Sequence, residues 1–463
     1  MADSSLPPEY PDERMQAHVL AAVMGSRRTE VALDDDPTGV QTVHDTAVLA
    51  RWEVEDLAAE LQRTHPVFYV LTNSRSLPEA EAAALNEEIV GNLVAASRAT
   101  GVDVAIASRS DSTLRGHFPA EPDAIARALG GVDGVLLCPA FFEGGRCTID
   151  DVHYVRDGDR LAPAAETEFA QDATFGYRHS NLREWVEEKT GGRVRAKDVG
   201  SLSLTEIRQG GPDLVRDLLL AVEGGLPVVV NAASYADLHV VALGVIRAEA
   251  AGKRFIYRTA ASFVRARAGL PERALLTRTE LLGTNAPPYV AGLVVVGSHV
   301  RRSSEQLSRC LELARTVGVE VNVPDLLRSK AARSRTVRAA TSAAEDALGA
   351  GLTPVVYTSR RVEQAGDQLD ISRSVSAALV EIVRGIERRP GFIVGKGGIT
   401  SSDVGTKALG VRRAVVLGQV WPGVPVWRLG EETRFPGLPY VVFPGNVGGP
   451  ETLAEVVAAL RGG

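Results

Sequence analysis

The stretch that decides the fold is Gly391-Phe392-Ile393-Val394-Gly395-Lys396-Gly397-Gly398-Ile399-Thr400-Ser401-Ser402-Asp403. Its apolar run, residues 392–394, predicts a buried strand, and the Thr-Ser-Ser-Asp cluster is typical of a helix N-terminus. Glycines let the backbone approach a ligand closely, and hydroxyls and unpaired helix N–H groups bind anions. The stretch therefore favours a phosphate-binding loop, although it has neither P-loop nor dinucleotide-binding spacing. An ordinary turn between a strand and a helix is the alternative.

Composition indicates an ordinary soluble protein with two or three domains, since the chain has 463 residues, 45% of them hydrophobic and 24% charged. The formal charge of -7 argues against nucleic acid or an anionic membrane as the main partner and leaves an anionic small molecule open. No apolar stretch reaches the ~20 residues of a membrane span, and the first residues lack the order of a signal peptide. The cysteines, Cys138, Cys147 and Cys310, have no metal-ligand spacing. We therefore expect a cytoplasmic protein whose side chains form no metal site.

The first half of the chain repeats a pattern in which a predicted strand ends in a polar loop. Residues 31–33 run into Asp34-Asp35-Asp36-Pro37-Thr38-Gly39, where adjacent carboxylates invite a cation or a hydroxyl partner. The loops after three further predicted strands, residues 67–71, 102–107 and 134–137, carry Arg75, Arg109, Arg115 and Arg146. Ligands of open α/β sheets bind at the carboxyl ends of strands, and arginine binds carboxylates through two hydrogen bonds. The set favours a site for an acidic substrate; a solvated acidic turn and surface ion pairs are the alternatives.

Residues 156–200 do not follow this strand-and-loop pattern, because their aromatic and polar residues show no clear period. Asn181 is expected to cap a helix that ends at Gly191-Gly192. A lid, a dimer contact and an inert insertion are all compatible with this pattern, so a homodimer is left open.

A second series of strands and helices follows a proline-containing segment, residues 268–290, that we interpret as a linker. The alternation predicts an α/β fold with two domains, each a largely parallel sheet with flanking helices, and an active site in the cleft between them. The predicted division is an N-terminal arm and helix (1–29), a first domain (30–267), the linker (268–290) and a second domain (291–463).

Three loops of the second domain combine glycines with hydroxyl or amide side chains: Gly297-Ser298, Gly397-Gly398-Ile399-Thr400-Ser401 and Gly445-Asn446-Val447-Gly448. Such loops hold the phosphates of a nucleotide with backbone N–H groups. A nucleotide site in one domain and an acidic-substrate site in the other are the plan of a phosphotransferase that uses ATP and Mg²⁺. Asp35 or Asp36 would be the catalytic base, and the sequence does not choose between them.

Taken together, these motifs resemble those of the four-carbon acid sugar kinase family. Asp35-Asp36-Pro37-Thr38-Gly39 resembles the family's Asp-Asp-x-Thr-Gly opening, and the segment Ser110–Gly116 resembles its Asp-Ser-Thr-x-Arg-Gly element. Pro139-Ala140-Phe141 with Gly145-Arg146 is similar to its Pro-Ala-Phe-Pro-x-x-Gly-Arg segment, and the three glycine loops match in order and spacing. The resemblance extends from about residue 30 to residue 455.

The resemblance implies a sugar-acid-binding first domain, a nucleotide-binding second domain, and phosphorylation of the terminal hydroxyl of a threonate, erythronate or 3-oxo-tetronate. The residues that it places at ATP are Ser298, Gly397, Gly398, Ile399, Thr400 and Gly445. Those expected at the substrate, besides the aspartates, are Thr38, Arg75, Arg109, Asp111, Arg115 and Gly116.

The chain departs from the family at several places, including a longer segment from Thr167 to Gly192, and these departures leave the identity of the acid in doubt. Ile399 stands where many members have Glu, Phe443-Pro444 where they have Lys-Ser, and Arg109 where they often have Lys. The alternatives are a sensor without turnover, a kinase for a different small hydroxy acid, and a dehydrogenase or aldolase. The dehydrogenase is disfavoured because the chain lacks a dinucleotide-binding fingerprint. The aldolase is disfavoured because the first-domain loops contain no lysine for a Schiff base. The histidines near the loops, His44, His117, His153 and His299, are expected to be structural.

Overall fold

The computed structural model describes residues 6–158, 160–298, 301–359, 368–445 and 447–462. They divide into two compact units, Met1–Glu272 and Arg273–Gly463, which we call the first and second unit. The boundary falls within the segment interpreted as a linker. His299 and Asn446, which the sequence analysis singled out, lie outside the described residues.

The first unit is built on a sheet whose strands all pair in parallel, with the order β2-β3-β1-β4-β11-β5-β10-β9, and β6, β7 and β8 form a separate antiparallel sheet. The strands are β1 (Arg28–Asp34), β2 (Thr46–Leu49), β3 (Val67–Leu71), β4 (Asp103–Arg109), β5 (Gly134–Cys138), β6 (Arg146–Ile149), β7 (Val152–Asp157), β8 (Arg160–Pro163), β9 (Gly200–Leu202), β10 (Leu226–Val230) and β11 (Phe255–Thr259).

The helices of the first unit are α1 (Met15–Gly25), α2 (Val54–Leu61), α3 (Glu79–Thr100), α4 (Ala120–Ala128), α5 (Leu182–Lys189), α6 (Leu204–Leu220), α7 (Tyr235–Ala250) and α8 (Ala261–Arg267). The apolar faces of α2 and α3 pack with the apolar residues of β1, β3 and β4 in one hydrophobic cluster. Asn181 caps α5 as predicted, because its side chain accepts the backbone N–H groups of Arg183 and Glu184.

The second unit has the strand order β13-β14-β12-β15-β18-β17-β16. The first five strands pair in parallel, and β17 is antiparallel to both of its neighbours. The strands are β12 (Leu293–Val296), β13 (Thr316–Val321), β14 (Thr353–Thr358), β15 (Ile393–Lys396), β16 (Arg413–Trp421), β17 (Val424–Leu429) and β18 (Pro439–Phe443). The helices are α9 (Arg278–Leu282), α10 (Arg301–Leu311), α11 (Val323–Arg328), α12 (Lys330–Gly349), α13 (Gln368–Gly385), α14 (Gly398–Asp403) and α15 (Thr452–Arg461), and a π-helical turn (Val404–Ala408) continues α14.

One boundary in the second unit differs from the prediction. The sequence after the Gly297-Ser298 loop predicts a helix as far as Val317, but α10 ends at Leu311 and residues from Thr316 form β13. Four of residues 316–321 are β-branched, and buried Val319 and Val321 alternate with exposed Gly318 and Glu320, which suits an edge strand better than a helix.

The two sheets bring the predicted loops to common edges. In the first unit β3, β1, β4, β11 and β5 are consecutive and parallel, and in the second unit β12, β15 and β18 are consecutive and parallel. The loops that follow these strands therefore lie along one edge of each sheet. Among the described residues no helix is long and apolar enough to span a membrane.

Substitution of the buried Phe392 tests how much its ring contributes to the stability of the second unit. Phe392 is fully buried and lies so close to Gly292 that a Cβ atom there would come within 2.3 Å of the ring. We expect Phe392→Ala to lower the free energy of unfolding of the second unit by about 3–5 kcal/mol, because the cavity cannot close around a strand end. Urea unfolding measures the change. The control Leu327→Ala removes a side chain that is 38% exposed and should change the free energy of unfolding by less than about 0.5 kcal/mol. Equal losses in the two variants would contradict the stabilising role of the buried Phe392 ring.

Candidate active site

Arg75 lies among three carboxylates at the carboxyl edge of the first unit's sheet. Its Nε and Nη2 donate to the two oxygens of Asp35 at 3.1 and 2.5 Å. Its Nη1 donates to Asp36 Oδ2 at 3.3 Å and lies 3.9 Å from Asp111 Oδ1. The guanidinium thus joins the acidic loop after β1 to the loop after β4 and neutralises part of their charge.

Asp35 and Asp36, the two predicted bases, differ in what their oxygens already bind. The side chain of Asp35 is 2% exposed, and besides Arg75 it accepts the hydroxyl of Ser110 at 2.6 Å. The side chain of Asp36 is 23% exposed, and its Oδ1 accepts the N–H of Thr38 at 2.8 Å and the Thr38 hydroxyl. Burial raises the pKa of Asp36, but Arg75 and the hydrogen bonds from Thr38 outweigh it and lower the pKa overall. Asp36 therefore keeps a charged and partly exposed carboxylate, whose Oδ2 accepts one hydrogen bond, from Arg75, among the described residues.

Arg109 is occupied within the protein. It is 6% exposed and donates from Nη1 to Asp34 Oδ1 at 3.0 Å, and Asp34 itself is 2% exposed. Burial raises the pKa of Asp34 to about 7, since the attraction of Arg109 is offset by the nearby charges of Asp35 and Asp36. The loop also packs its backbone on this carboxylate, because a Cβ at Gly39 would lie 2.0 Å from Asp34 Oδ2. Arg109 therefore binds Asp34 within the protein.

Asp111 and Arg115 form the other side of the acidic group. Arg115 Nε donates to Asp111 Oδ2 at 2.8 Å, and the same oxygen accepts the N–H and hydroxyl of Thr113. Burial raises the pKa of Asp111, but Arg75, Arg115 and these hydrogen bonds together hold it well below its usual range. Its Oδ1 has the 3.9 Å contact with Arg75 and no shorter hydrogen bond among the described residues.

The segment that interrupts the strand pattern, residues 156–200, packs against these arginines. The guanidinium of Arg115 lies 5.1 Å from the ring centre of Phe169, and that of Arg146 lies 5.8 Å from it. Asp172 Oδ2 lies 3.8 Å from Arg115 Nη1. The segment therefore contributes side chains to one side of the candidate site.

Gly116 is required by its surroundings. It has φ +127°, and a Cβ there would lie 2.4 Å from Ser110 Oγ and 2.9 Å from Arg258 Nη2. Arg258, which the sequence analysis did not single out, is 7% exposed and donates from Nη1 to Glu121 at 2.7 Å and to Ser108 at 2.9 Å. Its only signal in the sequence is a charge directly after the short apolar run 255–257, and the sheet order alone places β11 beside β4.

The described histidines near these loops all bond to the backbone. A ring nitrogen of His44, His117 or His153 lies 2.8–3.1 Å from the carbonyl oxygen of Pro271, Leu77 or Ser112, respectively. Burial lowers the pKa of His153 to about 4. These contacts fit the structural role that we expected.

In the second unit the predicted nucleotide loops follow three adjacent strands. Val296, Lys396 and Phe443 are aligned neighbours at the ends of β12, β15 and β18. The N–H of Gly397 donates to the carbonyl of Phe443 at 2.8 Å, which fixes the glycine turn to the loop after β18.

Close backbone approach explains the glycines of these loops. Gly397 has φ +109°, and a Cβ there would lie 3.1 Å from Ser298 Cβ; a Cβ at Gly297 would lie 2.2 Å from Thr400 Oγ1. A Cβ at Gly445 would meet nothing within 4 Å, so the backbone there borders open space. The predicted residue Ile399 is 61% exposed beside this turn, where a large apolar side chain has room to contact a ligand.

Lys396 is a further charged group at this edge. Its side chain is buried, and Nζ donates to the carbonyls of Pro444 at 2.7 Å and Gly445 at 3.1 Å. Nζ also lies 4.5 Å from the ring centre of Phe443. Burial lowers the pKa of Lys396 to about 7, and the charge of Arg302 adds to the effect. This lysine lies within the glycine stretch, where its sequence position alone indicates no role.

Two family models match the chain, a sugar-binding N-terminal domain over residues 31–267 and a nucleotide-binding C-terminal domain over residues 293–453. A 3-oxo-tetronate kinase of Pseudomonas fluorescens is 30% identical over 370 residues, which cover 77% of this chain and 78% of that protein. A D-threonate kinase of Bordetella bronchiseptica is 38% identical over 157 residues. That alignment covers 32% of this chain and spans about a third (36%) of the length of that kinase.

Two solved structures share the fold. A Salmonella typhimurium LT2 protein, provisionally named a tRNA synthase, is 18% identical with a TM-score of 0.67, and the match covers 92% of this chain and 98% of that one. A Haemophilus influenzae protein from a family of unknown function is 19% identical with a TM-score of 0.59, and the match covers 93% and 98% of the two chains. The predicted α/β fold with largely parallel sheets and flanking helices is thereby confirmed.

Removing Arg75 should destabilise the first unit in a pH-dependent way. In the wild-type protein the lowered pKa values of Asp36 and Asp111 mean that the stability they contribute is present above about pH 4 and is lost only as the pH falls further. In Arg75→Gln, burial and mutual repulsion raise these pKa values, so the folded state binds protons more readily than the unfolded one. We expect a loss of about 3–5 kcal/mol at pH 8 and a clearly smaller loss at pH 5, measured by urea unfolding.

Arg127→Gln is the control for this experiment. It removes an exposed ion pair with Glu87 (3.3 Å) and should change stability by less than about 1 kcal/mol at both pH values. A loss in Arg75→Gln that is the same at pH 5 and pH 8 would contradict the role of Arg75 in holding the carboxylates ionised.

Proposed function

Because the chain belongs to the four-carbon acid sugar kinase family, we propose that it transfers the γ-phosphoryl group of ATP to the terminal hydroxyl of a four-carbon sugar acid. The acid is of the threonate, erythronate or 3-oxo-tetronate type. The predicted enzyme class, a phosphotransferase with an alcohol group as acceptor, agrees with the names of both kinase relatives. One observation carries the proposal: three adjacent parallel strands of the second unit end in glycine loops, with open space beside Gly445, while the first unit's strands end in acids paired with arginines.

The nucleotide is assigned to the loops after β12, β15 and β18. The residues proposed to contact ATP are Ser298, Gly397, Gly398, Ile399, Thr400 and Gly445. The open space at Gly445 and the positive φ of Gly397 fit a cradle in which backbone groups meet phosphate oxygens.

Mg²⁺ fits this assignment as a partner of the phosphates. The described residues include no group of three His, Cys, Asp or Glu side chains placed to hold a metal ion. Mg²⁺ usually binds through phosphates, waters and only one or two protein oxygens, so the phosphates of ATP at these loops would be its main ligands. When bound there, it would neutralise charge on the transferred group.

The acid to be phosphorylated is assigned to the first unit, with Asp36 orienting its hydroxyl and accepting the proton. Of the two predicted bases, Asp36 has the more exposed carboxylate, whereas Asp35 is saturated by Arg75 and Ser110. Asp111 is the second candidate, because its Oδ1 has only a long contact. Thr38, Gly116 and Arg115 complete the proposed substrate site; Arg115 is 24% exposed and would bind the carboxylate of the acid.

Three expectations from the sequence remain predictions. They are an active site in the cleft between the domains, a cytoplasmic location and a homodimer. A sensor that binds both ligands without turnover is the alternative function. The charged and accessible oxygen of Asp36 favours the kinase, since a base beside an anionic ligand weakens binding and is useful only for chemistry.

Turnover of ATP with Mg²⁺ and a panel of four-carbon sugar acids and longer aldonates tests the proposal. We expect phosphorylation of one four-carbon acid, and a loss in kcat of about 10²–10⁴-fold in Asp36→Asn with an unchanged Kd for ATP, because only the hydroxyl loses its base. The control Asp103→Asn alters a side chain that is 74% exposed at the opposite end of β4 and should keep full activity.

Two other outcomes would decide against parts of this proposal. ATP binding without phosphorylation of any acid in the panel would favour the sensor or a different hydroxy acid. Failure to bind ATP at all would overturn the assignment of the glycine loops.

A further inference from the structure

We propose that Lys396 is a positioning residue for the nucleotide: it fastens the loop after β18 to the glycine turn and supplies a buried positive charge for the polyphosphate. The inference rests on the proposed function and adds to it a residue outside the predicted ATP-binding set.

The hydrogen bonds of Lys396 give it the positioning role. Its backbone ends β15 and continues directly into Gly397, while its Nζ binds the carbonyls of Pro444 and Gly445. The same loop is held from α10, because Gln306 Nε2 donates to the carbonyls of Val447 at 2.9 Å and Gly449 at 2.8 Å. One buried ammonium therefore links two of the three loops assigned to the nucleotide.

The charge of Lys396 has no carboxylate partner among the described residues. The adjoining elements carry Arg302 on α10, Asp403 on α14 and Tyr440 on β18. On α10, Glu305 is paired with Arg301 at 2.8 Å, and Arg309 is paired with Glu312 at 3.1 Å. Asp403 is paired with Lys407 at 2.7 Å, and the Tyr440 hydroxyl donates to the Ser401 carbonyl at 2.6 Å. Arg302 repels the ammonium. The β12 and β18 residues aligned with Lys396 are the apolar Val296 and Phe443.

A buried cation without a counter-ion is unfavourable, and an anion nearby relieves the penalty. An ammonium has three N–H donors, and the two carbonyls account for two of them. The anion that the proposed function brings to these loops is the polyphosphate of ATP. Nucleotide binding should therefore raise the pKa of Lys396 from about 7, and the protein should take up a proton when it binds ATP above that pH.

Calorimetric titration of the full chain with MgATP at pH 8, without acid and in two buffers of different ionisation enthalpy, measures this proton. We expect uptake approaching one proton per ATP in the wild-type protein. Lys396→Met should show no uptake and a Kd weaker by roughly tenfold or more, the effect of one charge-assisted hydrogen bond. Lys396→Arg, which stays charged at this pH, should bind ATP without uptake. The control Lys407→Met, an exposed lysine one helix away, should keep the uptake of the wild-type protein.

The outcomes separate this inference from the proposed function. ATP binding without proton uptake in the wild-type protein, or uptake that persists in Lys396→Met, would overturn the inference alone. If the wild-type protein binds no ATP, the proposed function fails and the inference fails with it. The wild-type measurement and Lys396→Arg decide the question even if Lys396→Met does not fold.

Discussion

The first unit depends on one electrostatic constraint: several carboxylates share the carboxyl edge of a sheet, and cations must lie between them to limit their mutual repulsion. Arg75 contacts Asp35, Asp36 and Asp111, while Arg109 takes Asp34. Each cation is fixed by its own strand end, so the parallel order of β3, β1 and β4 and the charge balance support each other. An acidic substrate could not approach such a cluster of carboxylates if their charge were not already balanced by the protein.

The second unit has a different constraint, because its glycine loops must pack closely together and still leave space beside Gly445. Gly297, Gly397 and Thr400 approach so closely that side-chain atoms larger than those present would not fit. The loop after β18 is held by the Lys396, Ser303 and Gln306 side chains, which donate hydrogen bonds to the carbonyls of Pro444, Gly445, Val447 and Gly449. Backbone groups can bind a nucleotide well only if the loop that carries them is held in a fixed conformation, and these hydrogen bonds hold it.

Much of this arrangement is readable from the sequence. Apolar runs that break into glycine, hydroxyl or charged residues mark strand ends, and parallel pairing brings those ends to one edge, so the acidic loop and the glycine loops could be predicted. The pairing of charges could not: Arg109 and Arg75 look alike in sequence, but burial directs one to Asp34 and leaves the other among three acids. Arg258 and Lys396 were missed for a related reason, since their roles depend on which strands become neighbours. That order, including the antiparallel β17, is set by contacts between residues far apart in the chain.

The position of β11 also bears on how the first unit reaches its folded state. It is the last strand of that unit, yet it lies in the middle of the sheet, between β4 and β5. Until residues 255–259 have been synthesised, β4 and β5 have no partner between them, and both present unpaired edges to other chains. Because β11 is the last strand of the unit in sequence, its pairing with β4 and β5 requires long-range contacts, and such contacts slow folding. A nascent chain of this protein is therefore most exposed to misassociation just before its first unit is complete.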